Sequence, residues 1–172
     1  VEPFASMAPR RAGGRMRHHA PDLILRNGLI YDGTGRAPFK GDIAIANGRI
    51  IAVGNVARAG ASRKVIDANG LAIAPGFIDV HTHAENIIYH PKAENFLRMG
   101  VTTLVLGNCG SSKLNLGEFY TKLEKNGFSP NIASLIGHGT VRGQVMGGSL
   151  RRPPNTTELG AMQKHIDQAM RD

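Results

Sequence analysis

The sequence predicts an α/β protein in two parts, a run of short strands over residues 22–74 and an alternating strand–helix array over residues 75–172. Two observations predict it. Before Ala74, apolar runs of three or four residues are separated by turn residues, with no helical period between them. After Pro75, strand-like apolar runs alternate with amphipathic stretches, which is the mark of a parallel sheet with helical crossovers.

Taken in order, residues 1–21 read as a disordered basic leader. Arg10, Arg11, Arg15 and Arg17 face only Glu2, and there is no apolar period to bury. The leader has no apolar core of 7–15 residues, so it is not read as a signal peptide. Met16 is read as a natural start, and His18 and His19 as a polar tail. Strands follow over 23–26, 29–31, 43–46 and 50–53. Asn47-Gly48 between the last two is a hairpin signal, because both residues tolerate positive φ. Asn27-Gly28 and Asn69-Gly70 repeat the device. Asp32, Gly33, Thr34 and Gly35 are read as a turn, since neither the helix nor the lysine of a phosphate loop follows.

In the second part, a strand is expected over 77–80 and a short helix over 92–99, closed by Gly100. A β-branched strand follows over 102–106, then a helix over 116–125 and a strand over 131–136. Arg151, Arg152, Pro153 and Pro154 form a stiff connector. Thr157 is read as the cap of a last helix over 158–170, with Leu159, Met162, Ile166 and Met170 on one face.

Composition excludes several functions. The formal net charge is +8, but the first twenty residues hold four arginines and one glutamate, leaving +5 spread over the rest. No basic stripe with interleaved aromatics remains, so no nucleic-acid partner is expected. No stretch approaches the roughly 20 apolar residues of a membrane span. The single cysteine forms no internal disulfide and fits a reducing compartment, the cytoplasm.

The chemistry gathers first at residues 75–83. An apolar strand runs into His81 and His83, and side chains at i and i+2 share a face. Two imidazoles aimed at one point are half of a divalent metal site. Asp79 has the same parity, placed to orient a ligand histidine from behind. A bare His-x-His is better explained by two polar loop histidines; the frame Ile73, Ala74, Pro75, Gly76, Phe77, Ile78 and Asp79 favours metal.

That frame, with Gly-Val-Thr-Thr-Leu-Val-Leu-Gly-Asn-Cys-Gly over 100–110 and Leu-Ile-Gly-His-Gly-Thr-Val-Arg over 135–142, resembles the N-acyl-D-amino-acid deacylase (D-aminoacylase) branch of the amidohydrolase superfamily. The likeness runs from about Asp22 to Asp172 and rests on three motifs in order. It implies a small β-sandwich domain over 22–74 and a TIM-type (β/α)8 barrel beginning at residue 75. Such a barrel takes typically about 250 residues. The 98 residues after Ala74 hold roughly three βα units, so the fold expected is an incomplete amidohydrolase, the N-terminal part of a longer enzyme.

The resemblance also implies a site at the C-terminal ends of the strands. Cys109, His81 and His83 are then zinc ligands, with Asp79 behind them. His138 and Arg142 fall to the substrate side, or else to a structural role capping the third strand. The family's later histidines and its general-base aspartate have no counterpart here. Where many members carry an aspartate after the histidine pair, this chain has Ala84, Glu85 and Asn86, a departure that bears on specificity. The expected activity is zinc-dependent hydrolysis of N-acyl-D-amino acids to a carboxylate and a free D-amino acid, with the 172 residues alone incomplete for catalysis. Two alternatives stand beside it. One is a cyclic-amide hydrolase of the dihydroorotase or hydantoinase type, which needs a carbamylated lysine that Lys92 and Lys113 are poorly placed to supply. The other is a truncated, non-catalytic product.

Overall fold

Asn47 and Gly48 both take positive φ, 51° and 70°, the backbone that lets a two-residue turn match the twist of the strands it joins. They link β2 (Phe39–Ala46) to β3 (Arg49–Gly54) as an antiparallel pair. On its other side β2 pairs antiparallel with β1 (Leu23–Ile30). β1 in turn runs parallel to β4 (Lys64–Asp67) and, further along, to β5 (Ala72–Ile73). The strand order is β3-β2-β1-β4, with β5 beside the second half of β1. Ile24, Ala44, Val56 and Ala59 form the core under this sheet.

A computed structural model describes residues 20–148 and 151–172, and the disordered leader expected over 1–21 lies, up to residue 19, outside them. The chain divides into two compact units, the first ending at Pro75 and the second spanning Gly76–Asp172. No helix among the described residues is long and apolar enough to cross a membrane.

Asn27-Gly28 does not turn the chain, contrary to expectation. β1 is one strand with a register shift between Leu25 and Gly28, and Asn27 sits at φ 62° inside it. Its side chain donates to Asp67 Oδ1 and its N–H to Asp42 Oδ1, both at 2.9 Å, so the neighbouring strands hold the extra residue as a bulge. β4 went unpredicted because every one of its residues is exposed and it shows no apolar alternation.

In the second unit, β6 (Phe77–Asp79), β7 (Val101–Leu106) and β8 (Asn131–Ser134) form a parallel sheet in the order β6-β7-β8. Between them lie α1 (Glu94–Arg98) and α2 (Leu116–Asn126). Leu104, Leu106 and Leu123 are fully buried, and with Ile87 and Phe119 they join β7 to α2 and the loop before α1. β8 ends two residues earlier than expected, and a helix that was not expected follows, α3 (His138–Met146). Its glycines, Gly139 and Gly143, carry low helix propensity and hid it.

The last helix, α4 (Thr156–Ala169), starts earlier than expected. Its cap is Asn155, not Thr157. Asn155 Oδ1 accepts from the Glu158 N–H at 2.9 Å, and a Glu158 carboxylate oxygen accepts from the Asn155 N–H at 2.8 Å. That reciprocal pair satisfies two backbone donors at once. Of the expected apolar face only Met162 is buried, packed with Val141 and Met146 of α3; Leu159, Ile166 and Met170 are exposed.

Candidate metal centre

The two histidines stand just past the end of β6, where the chain is held at two points. Asp79 Oδ1 accepts the backbone N–H of His81 at 3.1 Å, which turns the chain as the strand stops. The N–H of Thr82, which is itself buried, donates to the Val105 carbonyl of β7 at 3.2 Å. His81 and His83 flank that anchor and project to one side, their rings 5.6 Å apart and edge to face.

Cys109 comes from the loop after β7. Leu106 is the last ladder residue, and Gly107 then swings the chain away at φ 80°. A Cβ on Gly107 would lie 2.0 Å from the Leu135 carbonyl oxygen, so only glycine fits there. Cys109 follows in the left-handed region at φ 55°, uncommon for a residue with a side chain and maintained only where the surroundings dictate it. Those surroundings are visible. The Gly107 N–H donates to Glu85 Oε1 at 3.1 Å, and Asn108 Nδ2 donates to the Val105 carbonyl at 2.8 Å. On the far side, the Ser112 N–H donates to Thr140 Oγ1 at 2.9 Å, and the Gly137 N–H to Ser112 Oγ at 2.8 Å. Gly137 has no room for a side chain either, since a Cβ would meet the Gly110 carbonyl oxygen at 2.5 Å.

These anchors bring Cys109 Sγ to 3.1 Å from His81 Nε2. The ligand atoms of His81, His83 and Cys109 all lie within 4.8 Å of one another, and the three residues are exposed. In a tetrahedral zinc site, bonds of about 2.0–2.1 Å to nitrogen and 2.3 Å to sulfur put neighbouring ligand atoms roughly 3.4–3.6 Å apart. The trio is therefore on the scale of one zinc ion, and the donor set, two imidazoles and a thiol, is one that zinc takes. Three protein donors also leave a fourth position open.

The remaining candidates lie elsewhere. Asp79 meets the backbone of His81, as described. His138 is the first residue of α3, exposed and outside the ligand cluster. Arg142 stands one turn further on, with its guanidinium donating to the Arg152 carbonyl. Glu85, Ser112 and Thr140 were missed as supports. Their partners are backbone groups 22, 25 and 28 residues away, so no local pattern announces them.

No family model matches the chain. Curated relatives do. An N-acyl-D-aspartate deacylase of Alcaligenes xylosoxydans xylosoxydans is 34% identical over 173 residues, covering 87% of this chain and 34% of the relative. Among solved structures, a D-aminoacylase described as having a binuclear metal centre, one metal activating and the second attenuating, is 32% identical with a TM-score of 0.80. The match takes in 88% of this chain and 36% of that one. An N-acyl-D-glutamate deacylase from Bordetella bronchiseptica, complexed with zinc and a phosphonate mimic of the tetrahedral intermediate, is 30% identical with a TM-score of 0.77. There the match takes in 89% of this chain and 37% of that one. The chain thus spans about a third of the length of the relatives it matches.

Proposed function

Because the chain belongs to the N-acyl-D-amino-acid deacylase family of the amidohydrolase superfamily, we propose that it forms the zinc-binding part of an enzyme that hydrolyses N-acyl-D-amino acids to a carboxylate and a free D-amino acid. The observation that carries this reading is the meeting of His81, His83 and Cys109, drawn from two parallel strand ends, with ligand atoms within 4.8 Å. In this reading the sheet of residues 22–74 is a layer of a small β-sandwich. Residues 75–172 supply the first three βα units of a (β/α)8 barrel, whose strand ends carry the site.

Each residue then has a task. Cys109 binds as thiolate and brings the one negative charge of the set. His81 and His83 offer neutral imidazoles, and Asp79 fixes the backbone from which His81 projects. A zinc ion held by these three residues would supply Lewis acidity, to activate a water and polarise the scissile carbonyl. His138 and Arg142, at the head of α3, are assigned to the substrate side. The general base is assigned to no residue of this chain, and the 172 residues by themselves are read as catalytically incomplete. The compartment is the cytoplasm, where a thiolate ligand stays reduced.

Zinc titration followed by calorimetry tests the site. One equivalent should bind to the chain and be lost from Cys109→Ala; unchanged binding in that variant would sink the reading. Hydrolysis of N-acetyl-D-methionine tests completeness. No turnover above a metal-only control is expected, and turnover abolished by a chelator and restored by zinc would show that the chain carries a full active site. Release of product from a hydantoin instead would favour cyclic-amide hydrolysis.

A further inference from the structure

The loops that end β6 and β7 carry all three candidate ligands, and besides the His81–Cys109 contact two hydrogen bonds tie the histidine loop to β7 and to the loop that follows it. One is backbone to backbone, from the Thr82 N–H to the Val105 carbonyl, and it survives any side-chain substitution. The other is made by a side chain, Glu85 Oε1 accepting the Gly107 N–H at 3.1 Å. Glu85 lies two residues beyond His83, and Gly107 two residues before Cys109. Gly107 is buried and has left the strand ladder at φ 80°. A buried N–H in that position must find an acceptor, and here the acceptor is the carboxylate of the histidine loop.

We infer that Glu85 is a positioning residue for the zinc site, a strut that fixes the Cys109 loop relative to His81 and His83. The inference rests on the reading of that trio as a zinc site. The Thr82 bond holds the histidine loop to the end of β7, and the Glu85 bond is the one of the two that reaches the Cys109 loop itself, at its first residue. Cys109 is held in a left-handed conformation that it would not keep unaided. Glu85 acts through the backbone and touches no ligand atom, so what it controls is how well the thiolate and imidazoles converge. Partners hydrogen-bonded directly to metal ligands are worth about 10–100-fold in metal affinity, and a tether on the ligand's own loop is expected to act on that order.

Cobalt(II) titration of the chain tests this, because a thiolate bonded to cobalt gives a near-ultraviolet charge-transfer band that reports Cys109 alone. The band should appear in the wild type and be absent from Cys109→Ser. Glu85→Ala should raise the cobalt Kd read at that band by about 10–100-fold. Glu85→Gln keeps an oxygen that accepts from Gly107, and should restore binding close to wild type. A Glu85→Ala variant that binds as wild type overturns the inference. So does a Glu85→Gln variant as weak as Glu85→Ala, which would point to charge rather than a tether. A wild type without the band overturns the zinc reading itself, a separate outcome. Should Glu85→Ala fail to fold, amide exchange at Gly107 decides. Slow exchange in the wild type and in Glu85→Gln supports the strut, and fast exchange in the wild type overturns it.

Discussion

In the first unit, β2 runs into β3 through Asn47 and Gly48, so both strand ends are consumed by a turn. In the second, β6 and β7 are parallel and each must be followed by a crossover, which leaves residues 80–93 and 107–115 outside the sheet at the same end. His81, His83 and Cys109 all come from those two segments. The contrast is one of geometry before chemistry. A tight hairpin fixes nearly every backbone angle at a strand end, whereas a crossover frees several residues there to carry function on a rigid base. Among the described residues, the first unit gathers no comparable cluster of side chains that could hold a metal.

That division of labour can be broken by experiment. The largest expected effect is on stability in the first unit. Ile24 is 1% exposed at the centre of its core, and Ile24→Ala should cost about 2–5 kcal/mol in denaturant unfolding. Zinc affinity should stay unchanged, and a parallel fall would show that the sheet does more than fold. The converse substitution, Cys109→Ala, should lower zinc affinity by at least about a hundredfold, or some 2.7 kcal/mol, with little effect on unfolding. Calorimetry and a thermal melt on the same sample read both.

Smaller effects sharpen the picture at α4. Asn155→Ala removes one half of the reciprocal cap and should cost about 1 kcal/mol, read from helix circular dichroism on heating. Acid should reproduce part of that loss without mutation. The Arg152 guanidinium, paired with Glu158 at 2.5 and 2.8 Å, holds that carboxyl down to about 2 with help from the Asn155 N–H. A carboxyl depressed in the folded state stabilises it fully above the ordinary value near 4.5, and that support fades as the pH falls towards 2. A pH titration of the α4 amide signals by NMR should therefore show fraying confined to that window, absent from Glu158→Gln.

How much the sequence revealed differs between the two kinds of element. β2, β3, β7 and α2 were legible because an apolar period or an Asn-Gly turn is a local signal, carried by adjacent residues. The convergence of His81 and His83 was legible too, from their two-residue spacing at the end of the Ile73–Asp79 frame. β4 and α3 were not legible. β4 exists through pairing with β1 across about forty residues, and α3 forms although its glycines argue against it. Both are tertiary decisions overriding local preference. Asn27-Gly28 misled for the same reason: the pair carries the turn signal, but Asp42 and Asp67 hold it as a bulge.

The backbone abutments beside Cys109 bear on how any mutational scan of this region is interpreted. Gly107 and Gly137 have no functional group to offer, yet a single methyl at either would strike a carbonyl oxygen at 2.0 or 2.5 Å. Alanine there should abolish the site as thoroughly as alanine at a ligand. A screen scored only by lost zinc binding would rank these two glycines beside Cys109 as candidate ligands. Their signature is different: excess zinc can compensate for a weakened ligand set, but it cannot make space between two peptide planes. Loss that metal does not rescue therefore marks the scaffold, and loss that it does rescue marks the chemistry.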